Sequence, residues 1–239
     1  MKRLPTLAVA TGAVAFLLFA LAGPLTRLGV WQFRTGFTAM RWGAYLGHAA
    51  LVLAIAALVA TRPRRRALPA VALTVVLAGI AILVPWQLRQ QARTVPPIHD
   101  ITTDLADPPT FVAVLPLRAG APNTAEYGGD SVAVQQRAGY PDLGPLRVAA
   151  PPAVAFARAA AAARDMGWEV VAVDSAAGRV EATATTRWFG FKDDVVVRVR
   201  PDSAGSRVDV RSVSRVGGSD VGANAARIRA YLARVAAAG

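Results

Sequence analysis

Cysteine is absent from all 239 residues. With it go disulfides, thiolate nucleophiles, cysteine-ligated zinc and a lipidated N-terminal cysteine. Acid is missing from a whole region: residues 1–97 hold eleven Lys or Arg and no Asp or Glu. Residues 98–239 hold the other sixteen bases and all fifteen acids, a balance of +1. A domain that neutralises several phosphates needs a concentrated basic face. The formal charge of +12 therefore does not signal a nucleic-acid partner. It belongs to the N-terminal part, where it reports orientation. Histidine is scarce as well, with only His48 and His99, which leaves a Ser-His-Asp arrangement little choice of base. No G-x-S-x-G, phosphate-binding loop or zinc motif is present. No catalytic residue, resident metal or cofactor is expected.

What the first third does have is apolar length. A helix needs roughly 17–25 apolar residues to cross a ~30 Å hydrocarbon core. Three segments qualify: 6–23 and 67–86 without a charge, and 44–60 interrupted only by His48. His48 falls about a turn from the outer interface, where a neutral imidazole is tolerated. Lys and Arg accumulate on the cytoplasmic side of membrane proteins. Lys2, Arg3, Arg62, Arg64, Arg65 and Arg66 share one side, denser than Arg27, Arg34, Arg41, Arg89 and Arg93 on the other. This predicts a multi-pass protein of a bacterial inner membrane, N-terminus inside and C-terminal domain outside the cytoplasm. Trp31, Trp42, Tyr45 and Trp86 then fall at the outer boundary, as interfacial aromatics do. Lys2-Arg3 and Ala20-Leu21-Ala22 also match a secretory signal, but the apolar stretch exceeds the usual ~7–15 residues, so an uncleaved anchor is expected. Residues 24–43 read as an interfacial helix with snorkelling arginines or as a structured loop.

The organisation expected is a three-span region over 1–90, a linker over 91–110 and a soluble α+β domain over 111–239. A short strand is expected at 111–115 and irregular chain over 119–144, with a strand at 131–135. From Pro151 the pattern sharpens. An alanine-rich helix runs to Met166 and stops at Gly167. Four strand-like runs follow at 168–174, 179–188, 194–200 and 207–216, separated by short Gly/Asp/Ser turns. In the second, Val180, Ala182, Ala184 and Thr186 alternate with Arg179, Glu181, Thr183 and Thr185, the signature of an antiparallel strand. A last helix opens at Ser219 or Asp220, both good caps, with Val221, Ala225, Ile228, Leu232 and Val235 as its apolar stripe. The expected fold is a four-stranded antiparallel meander flanked by two helices, in two layers.

Chemistry-bearing residues concentrate in Trp188-Phe-Gly-Phe-Lys-Asp-Asp194 and in the run from Arg211 to Asn224. In a meander these two stretches meet at one edge of the sheet. Asp193 and Asp194 then face Arg211 or Arg215, with Asp220 and Asn224 nearby at a helix N-terminus. Read as a ligand site, the cluster suits a carboxylate or phosphate. Read structurally, it is a salt-bridged corner locking the last helix to the sheet. His99, Asp100, Asp104 and Asp107 form a further acidic cluster whose oxygens suit a divalent cation, although a solvated linker is the plainer expectation.

The motifs F-G-F-K-D-D-V and V-R-S-V-S-R-V-G-G-S-D-V-G-A-N-A-A-R-I-R resemble the bacterial domain of unknown function 1499 family, over about Ile98 to Val235. The resemblance implies a membrane-associated or lipid-anchored envelope protein without an assigned activity. Many members carry a cysteine-containing segment near the start of the domain, and this chain does not. Three functions compete on the sequence alone. The first is a non-enzymatic envelope module, on a lipid bilayer, that binds a lipid, a glycan or another envelope protein. The second is a hydrolase using Asp193, Asp194 and Asp220 with acid or metal assistance. The third is a structural subunit of a larger membrane complex.

Overall fold

The computed structural model describes residues 3–203 and 205–238. It divides into two compact units, one reaching Gln91 and including Arg187–Gly190, the other comprising Ala92–Thr186 and the chain from Phe191 onward.

The first unit has three helices long and apolar enough to cross a membrane: α1 (Leu4–Arg27), α2 (Phe33–Ala60) and α3 (Leu68–Thr94). Residues 24–43 are neither a separate interfacial helix nor a long loop, because α1 continues through Pro24 and α2 already starts at Phe33. The turn between them is held by Trp31, whose indole N–H donates to Ala22 O (3.2 Å) and to the Thr26 hydroxyl (3.0 Å). Buried positions on α1 include Ala8, Gly12, Ala15, Phe19 and Ala22; those on α2 are Gly36, Met40, Gly43, Gly47, Ala50, Ala54 and Ala57. Both stripes alternate steps of four and three, the period of a left-handed helix pair. Small residues let backbones approach where lipid supplies no hydrophobic drive. A Cβ on Gly43 would lie 2.8 Å from Ala15 O. In the same unit the indole of Trp188 occupies the space beside Gly23 and packs 4.9 Å from the Phe19 ring, while Phe189 packs 5.1 Å from Phe37.

The second unit is built on an antiparallel sheet of six strands, not four. β3 (Glu169–Asp174), β4 (Arg179–Thr185), β5 (Lys192–Asp202) and β6 (Gly205–Ser214) form the expected meander. Two three-residue strands complete it on the free side of β6: β1 (Asp100–Thr102) opposite Arg211–Val213, and β2 (Leu146–Val148) opposite Ser206–Val208. Three residues are too few to show a period, so β1 was hidden in the stretch read as linker. The expected strand at 131–135 is instead helix α4 (Asp130–Gly139), and residues 111–115 form turns leading into a 3₁₀ segment, Pro116–Arg118.

Alternation assigns the sheet two faces. Val180, Ala182, Val195, Val197, Val208 and Val210 pack under α5 (Pro152–Asp165) and α6 (Ala223–Ala237). Within that layer Tyr231 stacks on Trp168 at 5.0 Å and donates its hydroxyl to Ala159 O at 2.8 Å. Tyr231, fully buried, belongs to the α6 stripe that periodicity assigned without it. The opposite face is covered too. Phe111 and Val114 seal Val196 and Val213, so the expected two layers become three.

The role of β1 is testable at Ile101, which is wholly buried against the helical layer. Ile101→Ala should cost about 2–5 kcal/mol and lower the domain's melting temperature by roughly 10 °C. Calorimetry of the detergent-solubilised full chain checks this; a change near zero is what a linker residue would give.

Candidate functional site

The second face of the sheet carries an unusual density of charge. Residues 100 and 102 on β1, 181 and 183 on β4, 194, 198 and 200 on β5 and 207, 209, 211 and 215 at β6 all point the same way by register. Residues 104–127 lie over them with little regular structure. Three buried carboxylates hold that covering segment down.

Glu181, fully buried, accepts the backbone N–H groups of Val112 (3.0 Å) and Val114 (3.0 Å) and pairs with Arg179 at 3.1 Å. Asp194, also fully buried, accepts both Nε (2.9 Å) and Nη2 (2.8 Å) of Arg215, the Thr183 hydroxyl (2.7 Å) and Nη1 of Arg118 (2.6 Å). Arg118 then donates from Nη2 to Asn123 O and Thr124 O, tying its own loop to the sheet. Asp100 accepts a bidentate fork from Arg211 at 2.9 and 2.7 Å. Arg211 also donates to Pro109 O and Ala125 O, and its guanidinium lies 5.3 Å from the Phe111 ring and 5.4 Å from that of Tyr127. Charge-assisted forks of this kind are the strong hydrogen bonds, and cations over aromatic faces add to them.

Beside them sits a second cluster. Asp104 and the fully buried Asp209 share Arg198, Arg200 and Arg207, the shortest contact being Arg207 to Asp104 at 2.6 Å. Asp107 closes it through Arg200 at 2.8 Å. The acids of 100–107 that suggested a cation site or a solvated linker are thus each claimed by arginine. Among the described residues, no group of three or more acids and histidines is arranged to hold a metal.

The covering segment leaves a cleft of about 760 Å³ between its two arms. Pro108, Phe111 and Leu115 supply apolar wall, Tyr127 an aromatic side, and Arg118 and Arg211 the floor. Two buried polar atoms there, Arg118 Nε and the Tyr127 hydroxyl, have no hydrogen-bond partner among the described residues. The Arg118 side chain is 4 % exposed.

Protonation follows the same geometry. Burial works against the charge on Asp194, yet hydrogen bonds from Arg215, Thr183 and Arg118 outweigh it and hold the carboxyl below the usual range. The hydrogen bond from Arg200 lowers Asp107 likewise. Burial, with the nearby charge of Asp100, pushes the Tyr127 hydroxyl up to about 12. Asp220 moves the other way, because burial outweighs the backbone N–H donors of Gly222 and Asn224 and raises its carboxyl.

The six residues singled out in the sequence divide between opposite faces. Asp194, Arg211 and Arg215 belong to the covered polar face, but Arg211 pairs with Asp100 and only Arg215 reaches Asp194. Asp193, one residue along the strand, points to the helical side and pairs with Arg227 of α6 at 2.5 Å. Asn224 joins that side, accepting from Ser212 (2.7 Å) and donating to Ser214 (3.0 Å) and His99 O (2.9 Å). Asp220 receives Gly222 N–H and Asn224 N–H, each at 2.8 Å, and so caps α6. Sequence reasoning passed over Arg118 and Asp209, read Glu181 only as one side of a strand, and placed Asp100 in an acidic cluster without its partner Arg211. The signal was present: residues 111–117 hold Phe, Val, Val, Leu and Leu, too apolar for a solvated loop, and Glu181 sits amid a strand too long to leave one side bare.

A family model described as a protein of unknown function, DUF1499, matches residues 100–235, from the first residue of β1 into α6. No curated protein and no solved structure shows significant similarity to the chain.

Removing the Asp194 charge strands two buried guanidiniums, so Asp194→Asn should cost about 3–5 kcal/mol at neutral pH. A carboxyl lowered on folding contributes stability above its unfolded pKa of ~3.9 and loses it as pH falls through the folded value. The gap in melting temperature between parent and variant should therefore be widest near neutrality and narrow below about pH 4. Thermal melts of both proteins across that range decide it; a gap independent of pH removes the assignment.

Proposed function

We propose a function from one premise: the chain belongs to the DUF1499 family. It acts as a membrane-anchored, non-enzymatic binding module, standing outside the cytoplasm of a bacterial inner membrane. Its ligand is a small envelope amphiphile, a lipid or glycan derivative, seated in the cleft over Arg118 and Arg211. An apolar group would lie against Phe111 and Leu115, and a polar group over the Arg118 and Arg211 side of the cleft.

The observation carrying this reading is the state of the cleft's ionised groups. The carboxylates of Asp194 and Asp100 are already satisfied by arginine, so the cleft offers an apolar wall over a cationic floor. A general base works best with a pKa near the operating pH, and Asp194 is held in the opposite direction. A floor locked by buried forks is instead preorganised, which lowers the ordering cost of binding. The near-neutral domain supports a partner other than nucleic acid. One observation favours the hydrolase reading: the raised carboxyl of Asp220. Both of its oxygens accept backbone N–H groups at the start of α6, which supports a capping role.

Leu115 is half-exposed at the cleft rim, so Leu115→Trp should fill the cleft and leave the unliganded fold intact. Thermal-shift titration of the purified full chain with short-chain acyl esters and oligosaccharides should stabilise the parent, by ~2.7 kcal/mol at a hundredfold excess over Kd, and leave the variant unmoved. Equal shifts in both proteins remove the cleft from the proposal, and release of hydrolysis products from the same mixtures favours the enzyme. Orientation is checked separately: a C-terminal alkaline phosphatase fusion should be active in cells and a C-terminal green fluorescent protein fusion dark, the reverse result placing the domain inside.

A further inference from the structure

A second cavity, of about 690 Å³, lies in the helical unit between α2 and α3. Its lining joins the start of α2 to the end of α3, which the antiparallel hairpin brings to one end. Arg41 comes from α2 and Arg89 from α3, with Tyr45 and Trp86 beside them and Ala44, His48 and Ile82 further along the helices. Both arginines are exposed, and neither has an ion pair or hydrogen bond among the described residues.

Internal neutralisation of that pair is closed off by composition. Residues 1–97 contain no Asp or Glu, so the unit holds no carboxylate with which to answer them. Guanidinium suits phosphate through paired, charge-assisted N–H donors. Tyr and Trp flanking a cationic pair mark the depth of lipid headgroups. Further from that end the wall includes Ala44 and Ile82, apolar surface that suits an acyl chain, with His48 beside them held 2.7 Å from Ala44 O. Charge, depth and shape thus agree on one occupant.

We propose that the α2–α3 cavity binds one anionic phospholipid, its headgroup phosphate between Arg41 and Arg89 and an acyl chain against Ala44 and Ile82. The site is independent of the cleft in the second unit and of any ligand taken there.

The test uses the full chain in a non-ionic detergent, titrated with phosphatidylglycerol or phosphatidylcholine and read by native mass spectrometry. The parent should retain phosphatidylglycerol in preference, and Arg41→Gln/Arg89→Gln should lower that retention roughly tenfold, the loss of two charge-assisted contacts. Arg64→Gln/Arg65→Gln, at the opposite end of the helices, should leave it unchanged. If the double variant does not purify as one species, Arg89→Gln alone carries the same expectation with a smaller loss. Equal loss in the Arg64/Arg65 variant would mean unspecific charge attraction and overturn the site. Displacement of the lipid by millimolar inorganic phosphate would overturn the commitment to a lipid, and equal retention of the two lipids would overturn both.

Discussion

Burying an ionised carboxylate is among the costliest acts a small domain performs, and this one performs it repeatedly on a single sheet face. Asp100, Glu181, Asp194 and Asp209 are all buried. Each would be strongly destabilising alone. The arginines and backbone N–H groups that satisfy them come largely from, or hold, residues 104–127, so the sheet cannot keep its acids dry without that segment. Nor could the segment order itself otherwise. It has almost no internal ladder of hydrogen bonds and few apolar anchors beyond Phe111 and Val114. Sheet and cover are mutually conditional, and the cleft is the space left where the cover's two arms do not meet.

The helical layer on the other face obeys different physics. Valine rows from β4 to β6 meet the alanine-rich flank of α5 and the Ala225–Ile228–Tyr231 side of α6, a burial driven by the hydrophobic effect and indifferent to direction. One polar column interrupts it: Asp193, Ser212, Ser214, Asn224 and Arg227 form a network with His99 O. That network joins α6, β5, β6 and the strand-like start of the domain, fixing the helix in register where valines alone would let it slide. In the membrane-type unit neither solution is open, and close backbone approach at glycine and alanine does the work.

What could be read from the sequence follows the length of the periodic signal. Strands β3 to β6, α5, α6 and three long apolar helices were legible, because each repeats its period several times. β1 and β2 were not, since three residues carry no period and their pairing is decided by β6. Helix α4 was hidden by the glycines, prolines and asparagines around it. The candidate site was legible as composition and misread as geometry. Asp193 and Asp194 look like one acidic pair in the chain, yet a strand sends adjacent side chains to opposite faces. The true partners, Arg118 with Asp194 and Asp100 with Arg211, lie 76 and 111 residues apart, and nothing local announces them.

The two units end with opposite electrostatic problems. In the domain, fifteen acids meet sixteen bases, and the buried carboxylates of the polar face are each paired with arginine. What the cleft presents is an apolar wall over paired guanidiniums. In the helical unit the bases have no acid to meet. Its countercharge must come from outside the unit, from water, ions or lipid, and only the last also offers apolar chains to the walls beside the arginines. The near balance of charge in the domain thus stops short of the helical unit, whose bases are left to be answered from outside it.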